Sequence, residues 1–262
     1  MGVKVKGVTG RLGRWMLVLG AVWALGSGCA VFSGSENDED REQADWHFEM
    51  GQGYFESQDT THAIRELSQA VEIDPDHADA HHLLGFIYMG RRDHERAVHH
   101  FQETLRLEPE YHSAMNNLGS VYLAMGYWEE AAEVFEDLVD ETLYATPELA
   151  HNNLGWAYHQ MGRHAEALEH LRRAAYLAPE MCLADNNKGR VYEEMGNRSR
   201  AERHFRRAIE KCPRNYQEPH YYLGRMMQEQ GDDNARAHFE RCIEIRSQND
   251  LAERCRQFLE VH

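Results

Sequence analysis

The sequence predicts an all-α protein, a solenoid of six similar helix pairs followed by one capping helix. Glycines recur at positions 51, 85, 119, 155, 189 and 224, at spacings of 34 to 36 residues. After each of the first five glycines, a tyrosine follows by three residues, an alanine by twelve and a large apolar residue by sixteen. About 34 residues hold two helices and two turns, and a period kept for six cycles is typical of a repeat array.

The first residues are typical of a targeting segment. Residues 1–14 are basic, Trp15–Leu25 is an uncharged apolar run, and small residues precede Cys29. This order is that of a secretory signal, and with the cysteine it resembles a bacterial lipoprotein signal, although Gly26 stands where that family prefers leucine. The resemblance implies a signal peptide over 1–28 and lipidation of Cys29. The alternative is an uncleaved anchor, because the uncharged run can be extended to Ser35.

An acidic tether is expected over 29–43, and the repeat array begins at residue 44. The small glycine and alanine of each repeat let its two helices approach closely, and a proline ends the second helix in four repeats. The third repeat is two residues longer than the period, so we expect its second helix to be extended or bent. Lys188 stands where four other repeats have leucine and is either paired or extended towards solvent. The predicted bounds are 44–77, 78–111, 112–147, 148–181, 182–215 and 216–247, with a capping helix in 248–262 that Asn249 or Asp250 begins.

This pattern resembles the tetratricopeptide repeat, which implies a right-handed superhelix with an inner, concave groove lined by fixed positions of each first helix. The groove would be aromatic at its start, would carry an asparagine ladder in its middle and would be charged at its end. Amides can pair with the backbone of an extended peptide, and aromatic rings can take its apolar side chains. The alternative is that these side chains only pack the repeats or face solvent. The candidate groove residues are Phe48, Phe55, Phe86, Asn116, Asn152, Trp156, His159, Asn186 and Arg190.

The composition argues against several function classes. The net charge of −16 disfavours nucleic-acid binding, and the charge is uneven, because residues 29–150 hold 27 acidic and 6 basic residues. Among the histidines, His94 and His99 lie about 140° apart around a helix and cannot share one ion. We therefore expect no enzyme, no catalytic residue, no cofactor or metal and no small-molecule substrate.

If Cys29 carries the lipid, four of the five cysteines remain to form disulfide bonds. Cys182 and Cys212 lie at the same end of an antiparallel helix pair, and Cys242 and Cys255 flank a turn. In an oxidising compartment these positions predict the bridges Cys182–Cys212 and Cys242–Cys255. Four free thiols are the alternative.

Within the repeat family, the extended third repeat, LYATPELAHNNLGWA, and the cysteine segments MCLADNNKG and IEKCPRN resemble the type IV pilus biogenesis lipoproteins of the PilF, PilW and Tgl kind. The resemblance implies a pilotin, an outer-membrane lipoprotein facing the periplasm that helps the pilus secretin to assemble. Its partners would be the membrane, through the N-terminal lipid, and an amphipathic secretin segment held in the groove. The alternative is a lipid-tethered scaffold for another envelope assembly or export system.

Overall fold

The structure, a computed structural model, describes residues 33–260 of the chain. The chain divides into two compact units, Met1–Glu39 and Asp40–His262, and the second holds the repeats. The described residues form thirteen α-helices and no strand. In chain order the helices are α1 (Ser33–Glu56), α2 (Thr60–Ile73), α3 (Ala78–Gly90), α4 (His94–Leu107), α5 (His112–Met125), α6 (Trp128–Asp140), α7 (Pro147–Gln160), α8 (His164–Leu177), α9 (Cys182–Glu194), α10 (Arg198–Lys211), α11 (Glu218–Gln228), α12 (Ala235–Ile245) and α13 (Asp250–Glu260).

The helices pack in chain order, and the first helices of successive repeats also touch, as α3 does α5, α5 does α7 and α7 does α9. This is the predicted all-α solenoid. Short polar residues begin several second helices: Asp59, Asp93 and Asn197 each accept a hydrogen bond from the backbone N–H three residues on. At the end of the array, Asn249 Oδ1 accepts from the N–H of Ala252 at 2.8 Å and so begins the capping helix α13, as predicted.

The third repeat differs from its prediction. Its second helix, α6, is not extended, because it ends at Asp140 and the additional residues form the loop 141–146. Pro147 then starts α7, where its missing N–H costs nothing. Because the residue before a proline disfavours helical backbone, α6 could not continue into α7.

The repeat glycines are places where one helix meets the core side chain of its partner. A Cβ atom added at Gly119 would lie 2.6 Å from Cζ of Phe135, and one at Gly189 would lie 2.5 Å from Cε1 of Phe205. Carbon atoms attract best at about 3.5–4.0 Å, so these positions have no room for a methyl group. The other four repeat glycines are equally close to their partners, in the pairs Gly51–Leu67, Gly85–Phe101, Gly155–Leu171 and Gly224–Phe239.

A second contact within the repeats joins polar side chains. The residue four before the glycine faces a residue on the second helix, and in three repeats both are histidine, with Nδ1–Nδ1 distances of 3.0–3.1 Å. Burial, and then the partner ring, lower the pKa of His100, His151 and His220 to about 4. One ring must accept the hydrogen bond of the other, so protonation of both would break the contact. The histidine pairs are His81–His100, His151–His170 and His220–His238.

We predict that Gly119→Ala destabilises the chain by about 1–3 kcal/mol, because the new methyl group would displace the buried ring of Phe135. Gly53→Ala is the matched control: it lies in α1 with nothing within 4 Å of the added Cβ, and alanine should stabilise that helix by about 0.5–1 kcal/mol. Thermal and urea melts measure both. Equal effects of the two substitutions would contradict the close approach.

We also predict that the stability falls as the pH is lowered from about 6.5 towards 4. Free histidine titrates near 6.5, whereas these buried rings have pKa values near 4. In that window the unfolded chain binds more protons than the folded chain, so acid favours unfolding, by roughly 2 kcal/mol per pair at pH 5. Urea melts between pH 5 and 7 measure it.

The third repeat offers the control for this prediction, because it has Met115 and Val134 at the positions of the histidine pair. The double variant His151→Met, His170→Val should therefore lose about 2 kcal/mol less than the original chain between pH 7 and pH 5. An unchanged acid dependence would show that the pair does not titrate as described.

Candidate peptide-binding groove

The candidate groove is formed by the first helices of the repeats, α1, α3, α5, α7, α9 and α11. Because the repeat glycine packs towards the second helix, the residue directly after it lies on a neighbouring face of the first helix. These residues change in character along the array: Gln52, Phe86, Ser120, Trp156, Arg190 and Arg225.

The amino-terminal part of the candidate groove holds three phenylalanine side chains. The rings of Phe55 on α1 and Phe86 on α3 pack edge to face with centroids 5.8 Å apart. Phe86 is 40% exposed, although it is large and apolar. Phe48 is half-buried, and its ring lies 4.9 Å from that of His77. The structure thus brings these three phenylalanines to one end of the array, where an apolar side chain of a partner could dock.

The carboxy-terminal part is a stack of aromatic and cationic side chains. The guanidinium of Arg190 on α9 lies 4.0 Å from the ring centroid of Trp156 on α7 and 5.3 Å from that of Tyr222 on α11. Such contacts between a cation and a ring face hold the guanidinium in place. In the next repeat, Arg225 on α11 forms an ion pair with Glu193 on α9. Three successive repeats are therefore joined through side chains of this face.

The predicted asparagine ladder is wrong. Asn152 and Asn186 are 1% and 0% exposed and cannot pair with the backbone of a bound peptide. The next first helix covers each of them: Asn152 Oδ1 accepts from Asn187 Nδ2 at 3.1 Å, and Asn186 Nδ2 donates to Glu218 Oε2 at 2.8 Å. Their amides join adjacent repeats instead of offering hydrogen bonds to a partner.

Asn116, the third member of that ladder, is more exposed than the other two. It is half-buried and lines a cleft of about 530 Å³ beside Tyr111 and the loop 141–146. Its Oδ1 atom is buried and has no hydrogen-bond partner in the described residues. Asn116 is therefore less covered than Asn152 and Asn186, although it has the same position in its repeat.

His159 is also less accessible than predicted, since it is 5% exposed. Its ring centroid lies 4.9 Å from that of Trp156, and its Nδ1 lies 3.3 Å from Glu194 Oε2. Burial lowers the pKa of His159 to about 4 and outweighs the opposite effect of Glu194, so the imidazole is neutral at pH 7. His159, His164 and Glu194 each place one atom that could bind a metal within 4.8 Å of the others. The sequence gives no sign of this cluster because its members come from three helices.

Helix α9, which carries Arg190, is fixed to α10 by a disulfide bond and by a buried cluster of charged side chains. Cys182 at its first position is joined to Cys212 after α10, with 5.9 Å between the Cα atoms. Asp185 is 0% exposed and receives hydrogen bonds or ion pairs from His204, Lys211 and Lys188. Burial alone would raise the pKa of Asp185, but these partners more than offset it and hold the pKa below its usual range.

Lys188 is therefore paired, which settles the choice that the sequence leaves open. Its Nζ lies 2.9 Å from Asp185 Oδ1 and the residue is 5% exposed. Burial lowers the pKa of Lys188, and Asp185 opposes that shift. A buried charge without its partner is costly, so the cluster fixes α9 against α10.

Tyr222 and Arg225 are groove residues that the sequence analysis does not identify. The sixth repeat has a different spacing, so its first helix cannot be aligned by counting from the predicted start at residue 216. Counting from Gly224 instead places Arg225 at the position of Trp156 and Arg190. The glycine is the better reference because it is the residue that the packing fixes.

The second disulfide joins Cys242 on α12 to Cys255 on α13, with 6.6 Å between the Cα atoms. Both pairs are those that the sequence predicts. Cys29 and the predicted signal peptide lie outside the described residues, so lipidation stays a prediction. In the described part of the chain, no helix is long and apolar enough to cross a membrane.

A repeat solenoid with an aromatic and charged inner face defines a class of proteins that bind other proteins and are typically non-catalytic. Family models for the TPR repeat match residues 41–90, and models for the tetratricopeptide repeat match 82–145, 149–181 and 186–220. The chain belongs to the tetratricopeptide-repeat family.

Solved structures share this fold. PilW, described as a widely conserved type IV pilus biogenesis factor, superposes with a TM-score of 0.69 at 17% identity over 80% of this chain and 96% of that chain. PilF of Pseudomonas aeruginosa gives a TM-score of 0.65 at 20% identity over 86% of this chain and 99% of that chain. A tetratricopeptide repeat protein from Parabacteroides merdae gives a TM-score of 0.72 at 17% identity over 84% of this chain and 86% of that chain. No curated protein matches in sequence, and identities this low show the fold alone.

We predict that the denatured, unreduced full chain has no reactive thiol other than Cys29, because the remaining four cysteines are bridged. Reduction should expose four more. Titration with a thiol reagent counts them, and four reactive groups beyond Cys29 before reduction would contradict the bridges.

Cys242→Ser with Cys255→Ser should lower the free energy of unfolding by about 2–4 kcal/mol.

Proposed function

We propose that the chain is a pilotin of the type IV pilus secretin, anchored by lipid on Cys29 to the bacterial outer membrane and facing the periplasm. It would hold an amphipathic segment of the secretin subunit in the candidate groove until lipid or neighbouring subunits bury that segment. No chemical step is needed.

The observation that carries the proposal is the exposed aromatic surface on the inner face. Phe86 is 40% exposed beside Phe55, and Trp156 lies under Arg190 two repeats further along. Aromatic side chains at the centre of a surface are the residues on which protein partners most often depend. A segment with apolar residues along one side would match Phe55 and Phe86.

The charge distribution supports one orientation of that segment. Residues 29–150 carry 27 acidic and 6 basic residues, whereas residues 151–262 carry 17 acidic and 18 basic ones. The amino-terminal repeats would attract the basic end of a partner, and the difference would select one register. The same fold in PilW and PilF, over nearly the whole length of those chains, agrees with the proposed system.

We predict that Phe86→Ala and Trp156→Ala each weaken the binding of a labelled secretin segment by about tenfold or more, because each removes a large aromatic anchor from the candidate groove. Fluorescence anisotropy with the full chain measures the affinity. Tyr176→Ala is the matched control: Tyr176 is 75% exposed but lies on α8, a second helix. Equal losses in all three variants would place the binding site elsewhere.

In the bacterium, deletion of the gene should remove the heat-resistant secretin multimer from the outer membrane. Cys29→Ser should leave the multimer unable to reach that membrane, if lipid supplies the targeting. Normal multimers in the deletion strain would reject the pilotin proposal and favour a scaffold for another envelope system.

A further inference from the structure

Three side chains beside the groove meet where the fourth and fifth repeats join. His159 lies one residue before the end of α7, His164 is the first residue of α8, and Glu194 is the last residue of α9. One atom from each lies within 4.8 Å of the others. The imidazole rings have centroids 5.7 Å apart, and His159 Nδ1 is 3.3 Å from Glu194 Oε2.

The two histidines are unlike the paired histidines of the core. In the three histidine pairs the Nδ1 atoms face each other at 3.0–3.1 Å. The Nδ1 atoms of His159 and His164 are buried, yet neither has a hydrogen-bond partner in the described residues. Glu194 is close to His159 but not in hydrogen-bonding geometry. A buried imidazole nitrogen without a partner is costly, and His159 is only 5% exposed.

We propose that His159, His164 and Glu194 form a Zn²⁺ site that joins α7, α8 and α9. Two imidazole nitrogens and one carboxylate are a ligand set that zinc uses, with a fourth position left for water or for a side chain of a partner. In tetrahedral coordination with bonds of about 2.0–2.1 Å, neighbouring ligand atoms lie about 3.3 Å apart. The separation of His159 Nδ1 from Glu194 Oε2 already has that value.

The surroundings suit an ion that arrives from solvent. The side chain of Glu194 is 57% exposed, so the carboxylate can rotate to complete the site. The ring of His159 also packs against that of Trp156, with centroids 4.9 Å apart, which gives one ligand an apolar neighbour that restricts its orientation. The site requires no protein partner, and so it does not depend on the proposed function.

The test measures Zn²⁺ binding by equilibrium dialysis, with thermal melting as a second measurement. Every sample is the full chain without a histidine tag and with Cys29→Ser, so that no free thiol competes. We expect one Zn²⁺ per chain and a melting temperature raised by a few degrees by Zn²⁺. Mg²⁺ should leave it unchanged, because Mg²⁺ prefers an octahedral set of oxygen ligands.

His164→Ala and Glu194→Gln should each weaken the binding at least about tenfold. Glu194→Gln keeps the proposal testable if the histidine variants fold poorly, because its side chain is more than half exposed. His62→Asn is the matched control, since His62 also lies beside a carboxylate, Asp59, at 2.6 Å, but that pair has no third ligand. Absence of Zn²⁺ binding, or binding unchanged in both His164→Ala and Glu194→Gln, would overturn the proposal.

Discussion

The two helices of each repeat can close only because a glycine on the first faces a large side chain sixteen residues later in the chain, or fifteen in the last repeat. The six contacts leave no room for a Cβ atom. Because the repeats stack on one another, a change in the angle between the two helices of one repeat would shift every repeat that follows. The remaining positions take their roles from this contact. The residue after the glycine lies towards the candidate groove, and the residue before it is buried in every repeat but the first.

This constraint also explains why the fold is predictable from the sequence and the site less so. The glycine, the alanine and the large apolar residue have one physical role in every repeat, so their period identifies helix pairs without further information. Groove positions have no such constraint. Asn152 and Asn186 have the side chains expected of a peptide-binding ladder, but whether they face a partner depends on how far the next first helix reaches over them. That distance is set by packing between repeats, which no local pattern records.

The buried Lys188–Asp185 ion pair lies at positions where the fifth repeat departs from the repeat pattern. At the position before the glycine, four repeats have a buried or nearly buried leucine, but the fifth has Lys188. The same repeat has Asp185 where four others have histidine. The two changes compensate each other, because Lys188, Lys211 and His204 together balance a carboxylate that is fully buried. Replacing Asp185 alone would leave the ammonium group of Lys188 buried without its carboxylate, whereas an apolar pair of suitable volume is tolerated at such positions.

The same repeat also places these constraints next to the groove. Among the described residues, both disulfides and the Asp185 cluster lie from α9 to α13, and Arg190 extends from this part of the chain onto Trp156 of the preceding repeat. The three phenylalanines at the other end lie in described repeats that no disulfide joins, and their rings contact neighbouring rings. A disulfide and buried ion pairs restrict the backbone more than such contacts do. We therefore expect the carboxy-terminal half to fix the orientation of a partner, while the amino-terminal half adjusts to its apolar side chains.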